Sequence, residues 1–376
     1  MNPVNAVGPT RNVRRLLAAS AVALVASSCA HAGRLGKPLS PDKIRREAIR
    51  HAQVWQATDV ASMNIRMGPQ GKGAFAPDEE ITCDYVDRKP DGGTRKFFCA
   101  VAPGDEVKIK YGQTNGEVRA EVAATRLLWA LGFPADAMYP VRVVCRGCPA
   151  DPFHRKGARA ERVFEVAAAE RKFPGKAIAA DGLEGWSWFE LGRVDESAGG
   201  APRAQRDALE LLAVVLQHTD SKPEQQRLTC EDQRKESERT GLCQQPMMMI
   251  SDLGLTFGGA NVFNRDQLGS MNFDRWSRAK VWKDPKHCVA NLPRSFTGTL
   301  ENPRVSEPGR RFLAGLLVQL SDDQLSDLFE IAHAESRTLH ARAASVAQWV
   351  DAFKKKRAEI VNHSCGEAAS KLATAP

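Results

Sequence analysis

The chain has 376 residues, 53 Lys and Arg against 45 Asp and Glu, a formal charge of +8 and 43% hydrophobic residues. That much apolar material in one chain excludes wholesale disorder, and no apolar run reaches the ~18–20 residues that span a bilayer. Nine cysteines are too sparse for a small disulfide-scaffold module.

The first segment reads as an export signal. Arg11, Arg14 and Arg15 form a basic region, an apolar stretch runs from Leu16 to Ala26, and Ala30-His31-Ala32 is an A-x-A cleavage pattern. Ala26-Ser27-Ser28-Cys29 looks like a lipobox, with Cys29 as the candidate lipid anchor, and Arg14-Arg15 weakly resembles a twin-arginine signal. The expectation is an exported protein, in the periplasm, anchored to the envelope as a lipoprotein, or secreted. Loss of residues 1–32 removes three arginines and no acid, so +8 becomes +5. A mild excess without a basic patch argues against a nucleic-acid partner. Lys354-Lys355-Lys356-Arg357 is a basic run, and Glu359 beside it marks a solvated helix face.

Residues 33–50 are polar and basic, an expected tether. Strands are expected at Val60–Met67, Glu80–Val86, Lys96–Val101 and Val107–Tyr111, with a glycine-rich turn at Gly68–Phe75 and a hairpin at Pro90-Asp91-Gly92-Gly93. Val118, Val122, Leu128 and Leu131 fall at helical spacing, so 116–131 is a helix, closed by Gly132. Strands at Tyr139–Cys145 and Arg162–Phe173 lead to an apolar helix at Gln205–Gln217. Short strands at Arg227–Cys230 and Met247–Ser251 flank a charged insert. Trp276 and Trp282 read as core residues. Helices over Glu307–Gln319, Asp322–Ala334 and Ala341–Val361 complete the chain. Strands and one helix come first and mainly helices follow, an α+β arrangement in two lobes: 51–175 rich in strands, 176–365 helical, and a tail at 366–376.

Without Cys29, eight cysteines remain. An even count in an oxidising compartment points to disulfides, and sequence proximity favours Cys83–Cys99, Cys145–Cys148, Cys230–Cys243 and Cys288–Cys365. Zinc at Cys145-x-x-Cys148 is the alternative, but no second pair at comparable spacing is evident.

The stretch richest in chemistry is His218-Thr219-Asp220-Ser221-Lys222-Pro223-Glu224-Gln225, after the apolar helix and before a short strand. Ser251-Asp252-Leu253-Gly254 follows beyond the insert. Taken singly, these residues also fit a capped helix end and a strand exit. In this order and at these places they resemble the protein-kinase-like superfamily. The first stretch is similar to the catalytic loop H-x-D-x-K-P-E-N, with Gln225 at the asparagine position, and the second to the D-F-G metal motif. The resemblance implies ATP as phosphoryl donor and Mg or Mn as metal. Asp220 would orient an attacking hydroxyl and accept its proton, Lys222 would neutralise charge on the transferred group, and Asp252 with Gln225 would hold the metal.

The resemblance also implies a nucleotide lysine on a strand just before a helix that carries a glutamate. Lys108 and Lys110 share a face of one strand and Glu121 lies on the next helix, with Glu117 as its competitor at the helix start. The run Ala130-Leu131-Gly132-Phe133-Pro134 looks like the atypical HipA-like and secretory-kinase-like branch. Gly68, Gly71 and Gly73 stand where a phosphate-covering loop belongs, in the order G-x-x-G-x-G. No A-P-E segment follows Asp252, which again favours an atypical branch. The implied function is a kinase-like phosphotransferase, monomeric and exported, acting on a hydroxyl of a protein or small molecule. The alternatives are a pseudokinase that binds nucleotide or a partner without turnover, and a structural envelope lipoprotein.

Overall fold

The structure is a computed structural model in which residues 39–231, 242–258, 270–338 and 341–366 are described. The expected export signal, with Cys29, lies outside the described residues, as does the tail beyond Gly366. The tether expected over 33–50 is corrected in its described part, because Pro41–His51 is a helix, α1. Ser40 caps it by accepting from the Lys43 N–H, and Pro41 sits in the first turn, where its missing N–H is no loss. Arg45, Ala48 and Ile49 share the buried face. Arg45 is fixed there by both oxygens of Glu190, at 2.9 Å each, and by the Gly185 carbonyl at 2.8 Å. A basic composition hid this helix, since an arginine with a buried carboxylate partner looks in sequence like any other arginine.

The strand expected at Val60–Met67 is also corrected. Val60–Ser62 is a single 3-10 turn. The carbonyls of Val60 and Met63 each accept from the side-chain amide of Gln324 at 2.8 Å. A distant side chain thus satisfies acceptors that a ladder would have used.

Five strands then form a closed barrel in the order β1-β2-β3-β5-β4. They are β1 (Glu79–Val86), β2 (Lys96–Ala102), β3 (Asp105–Tyr111), β4 (Ala137–Cys148) and β5 (Ala160–Arg171). The hairpin expected at Pro90–Gly93 joins β1 and β2, which pair antiparallel. A parallel ladder from Glu79↔Val141 to Asp84↔Arg146 closes the barrel and removes its edges. Alternate residues point inward, among them Ile81, Cys83, Phe97, Cys99, Val107, Ile109, Val143 and Cys145, and these make a core of their own. Between β3 and β4 runs helix α2 (Gly116–Ala130), capped by Asn115, whose side chain accepts from the Glu117 N–H. All its residues except Trp129 are buried, so it is enclosed rather than amphipathic.

After β5 come a three-stranded sheet, β6 (Lys176–Ala177), β7 (Gln226–Cys230) and β8 (Pro246–Ile250), and a short hairpin of β9 (Trp282–Asp284) and β10 (Val289–Ala290). Helices α3 (Arg203–Leu216), α4 (Phe273–Arg278), α5 (Glu307–Leu317), α6 (Asp322–Ile331) and α7 (Val346–Val361) make up most of the rest. The chain is therefore α+β, a strand-rich region followed by several helices. Trp276 and Trp282 are buried in the second core, as expected, and Trp276 lies 5.3 Å from Trp349 between ring centroids. The basic run at 354–357 is corrected. Lys356 is buried and donates to the Ala279 carbonyl, and Arg357 donates to the Leu320 carbonyl. Helix α7 therefore turns two of these four cations onto open carbonyls of neighbouring segments.

The four expected cysteine pairs are all at bonding distance, with Cα separations of 5.6, 5.7, 5.9 and 5.6 Å in chain order. Cys145 and Cys148 are bonded to each other, so they offer no thiolate pair to zinc. A second pair does stand beside them, with Cys99 Sγ 3.9 Å from Cys145 Sγ. Strand register made that neighbour, and sequence spacing did not reveal it. No helix among the described residues is long and apolar enough to cross a membrane.

Candidate functional site

The site begins where α3 stops. Gln217 takes a left-handed conformation, φ 56°, and turns the chain into the loop His218–Gln225. The His218 imidazole is fully buried, and burial pushes it down to about 4, so it is neutral packing within the loop. The loop is clamped from outside by a segment whose role the sequence did not disclose. Ser295 Oγ donates to the Thr219 carbonyl, Thr299 donates to the Ser221 carbonyl through both its N–H and its hydroxyl, and the Leu300 N–H donates to Ser221 Oγ. Thr297 Oγ1 lies 3.5 Å from Asp220 Oδ1.

Within the loop, Asp220 is buried. Its Oδ2 accepts from Gln225 Nε2 at 2.6 Å and lies 3.4 Å from Lys222 Nζ. Gln225 also carries a backbone contact. Its carbonyl accepts from the N–H groups of Ser251, at 2.8 Å, and Asp252, at 3.2 Å. One residue therefore fixes the loop of Asp220 against the segment that bears Asp252.

Asp252 meets the barrel. Its Oδ2 is 3.2 Å from Lys110 Nζ, and its Oδ1 accepts from the Gly254 N–H at 3.0 Å. Lys110 also donates to Glu121 Oε1 at 2.5 Å and is itself fully buried. Burial opposes every charge here. For Asp252 the Lys110 ammonium overrides burial and holds the carboxyl far below the usual range. For Lys110 the two carboxylates override it and hold the proton on. Burial pushes Glu121 up. The site collects more carboxylates than cations around Lys110, since Glu117 is buried beside it as well. Asp252 and Gln225 each carry side-chain oxygens of the hard donor type that Mg and Mn take.

Lys108 does not join Lys110. It pairs with Glu170 on β5, where its side chain is partly exposed. Glu117 accepts from Thr94 Oγ1, so the competitor for Lys110 is turned to the β1–β2 hairpin instead.

The glycines Gly68, Gly71 and Gly73 are corrected. Their loop precedes β1 rather than joining two barrel strands. A Cβ at Gly68 would lie 2.1 Å from Arg126 Nη1, the Pro69 carbonyl accepts from the Tyr139 hydroxyl, and the Gly73 carbonyl accepts from Arg171. These contacts tie the loop to α2 and to the β4–β5 pair. The loop that does approach is the β1–β2 hairpin with Gly92, Gly93 and Thr94. It borders a cleft of about 420 Å³ lined by Asp91, Lys96, Phe98, Lys108 and Glu170, and by Arg171 and Lys172 where β5 ends. That volume is within the range of small-molecule sites. The sequence signal for this hairpin was present in Pro90–Gly93, but read there as a turn alone.

No family model matches the chain, and no curated protein matches it. Among solved structures, the Helicobacter pylori proinflammatory kinase CtkA aligns with 80% of this chain and 100% of its own, at 10% identity and a TM-score of 0.40. A likeness at that level is distant, and the functional reading rests on the site's own geometry.

Proposed function

We propose that the chain is an exported, atypical kinase-like phosphotransferase, two-lobed, that moves a phosphoryl group from ATP to a hydroxyl acceptor with Mg or Mn. The observation that carries this is Lys110 held between Glu121 and Asp252, with the Asp220 loop tied to Asp252 through the Gln225 carbonyl. A lysine on the third strand, a glutamate on the following helix and two aspartates on separate loops are the parts that phosphoryl transfer needs.

Asp220 orients the acceptor hydroxyl and takes its proton as the oxygen attacks the terminal phosphorus. A bond forms between the acceptor oxygen and phosphorus, the bond from phosphorus to the bridging oxygen breaks, and ADP leaves. Lys222, beside Asp220, offsets charge on the transferred group, and Lys110 holds the phosphates nearer the nucleoside. Asp252 and Gln225 are the residues that would hold the metal, which when bound neutralises phosphate charge. The acceptor is a protein or small molecule, the protein acts as a monomer without nucleic acid, and Cys29 is its lipid anchor if the envelope is its destination.

A second reading is a pseudokinase. It is favoured by the occupation of Asp220 Oδ2 by Gln225 and Lys222 from within the loop. The purified chain titrated with ATP plus Mg or Mn separates the two. A thermal shift with label transfer that vanishes in Asp220→Ala supports the phosphotransferase. A shift without transfer supports the pseudokinase. No shift with either metal leaves a structural envelope protein, and transfer that survives in Asp220→Ala removes the proposed role of Asp220.

A further inference from the structure

Lys96 opens β2, and its register partner across the β2–β3 ladder is Lys110. Directly opposed residues of an antiparallel pair project from the same face, and like charges placed there repel. Lys110 has Glu121 and Asp252 to offset its charge. Lys96 forms no ion pair of its own and feels these two carboxylates only from a distance. It is only 8% exposed, and its ammonium makes no hydrogen bond or ion pair with any described residue. Burial first, and then the neighbouring charge of Lys110, push its ammonium below the usual lysine range. A buried cation set against another cation is a cost that a sheet ordinarily avoids with a neutral residue.

The surroundings say what would relieve it. Lys96 lines the 420 Å³ cleft together with Lys108. The hairpin backbone folds over it at Gly92, φ 76°, where a Cβ would stand 3.2 Å from Lys96 Nζ. A lysine opposed to Lys110 on one strand face, under a glycine hairpin and at a cleft it shares with Lys108, offers cationic donors of the kind that phosphate oxygens accept from.

We infer that Lys96 is a second phosphate anchor, which with Lys110 makes the site selective for nucleoside di- and triphosphates over monophosphates. The inference rests on the nucleotide reading above and deepens it. The test compares the wild-type chain with Lys96→Met and Lys96→Arg by calorimetric titration with ADP, AMP and inorganic tripolyphosphate, and by thermal melting without ligand. Lys96→Met should weaken ADP and tripolyphosphate binding by about tenfold or more, the loss of one charge-assisted contact, and leave AMP unchanged. Without ligand it should melt no lower than wild type, because the repulsion is gone. Lys96→Arg should keep most of the ADP affinity.

Unchanged ADP affinity in Lys96→Met, or an equal loss for AMP and ADP, overturns the inference. A lower melting point together with unchanged affinity assigns Lys96 a structural role and also overturns it. Should wild type bind tripolyphosphate through Lys96 but no nucleotide, the nucleotide reading fails and the anion site stands. Should it bind neither, both fail.

Discussion

Lys110 Nζ and Asp252 Oδ2 lie 3.2 Å apart although 142 residues separate them in the chain. This contact joins the barrel to the segment after β8, and Glu121 completes it from α2. A buried ion pair adds little net stability, but removal of one partner strands a buried charge, which costs about 3–5 kcal/mol. Lys110→Met should therefore destabilise the chain by roughly that amount, measured by chemical denaturation. The double variant Lys110→Met/Glu121→Leu should be less destabilised than the sum of its parts. Additive losses would show that the two groups do not act as a pair.

Helix α1 is expected to be integral to the body. Arg45→Ala leaves the Glu190 carboxylate with Arg193 and the Ser187 N–H, and the Gly185 carbonyl open. The expected loss is about 1.5–3 kcal/mol, that of a charge-assisted contact. A chain beginning at residue 52 should lose at least as much, followed by denaturant midpoint. Equal stability with and without residues 39–51 would return that segment to the role of a tether.

The four disulfides should contribute unequally. Cys288 and Cys365 are 77 residues apart in sequence, and Cys83 and Cys99 are 16 apart. On the chain-entropy account the first pair contributes roughly 4.5 kcal/mol and the second roughly 3 kcal/mol. Paired Cys→Ala variants, unfolded in guanidinium, should rank in that order. The reverse order would mean that packing within the barrel outweighs loop closure.

Stability should rise with pH in the alkaline range through Lys356. Burial pushes its ammonium down to about 8, against 10.5 for a free lysine. Between these values the unfolded chain holds a proton that the folded chain has released, so stability grows as pH climbs through the window. Lys356→Met should flatten that part of the profile of denaturation midpoint against pH. An unchanged slope would remove Lys356 as its source.

The candidate site divides along the same physical line as these predictions. The two loops with Asp220 and Asp252 were legible because local order, helix before and strand after for the first and strand before for the second, constrains where such residues can stand. The cysteine pairs were legible because, taken in chain order, each cysteine bonds to the next one left unpaired. The glycine turn at Gly68–Gly73 misled because glycine marks a turn without saying what the turn faces.

What the sequence alone determined was local: strand and helix periods, the hairpin before β2, the helix that carries Glu121 and the loop after α3. These depend on residues a few positions apart, whose side chains meet through backbone geometry. The tertiary structure decided which lysine meets Glu121, and it set Lys96 opposite Lys110 and turned Lys108 to Glu170. It also brought Thr297 beside Asp220, Gln324 to the carbonyls of Val60 and Met63, and Arg45 to Glu190. Register and long-range packing fix these contacts, and a partner on another element leaves no periodic trace in the chain.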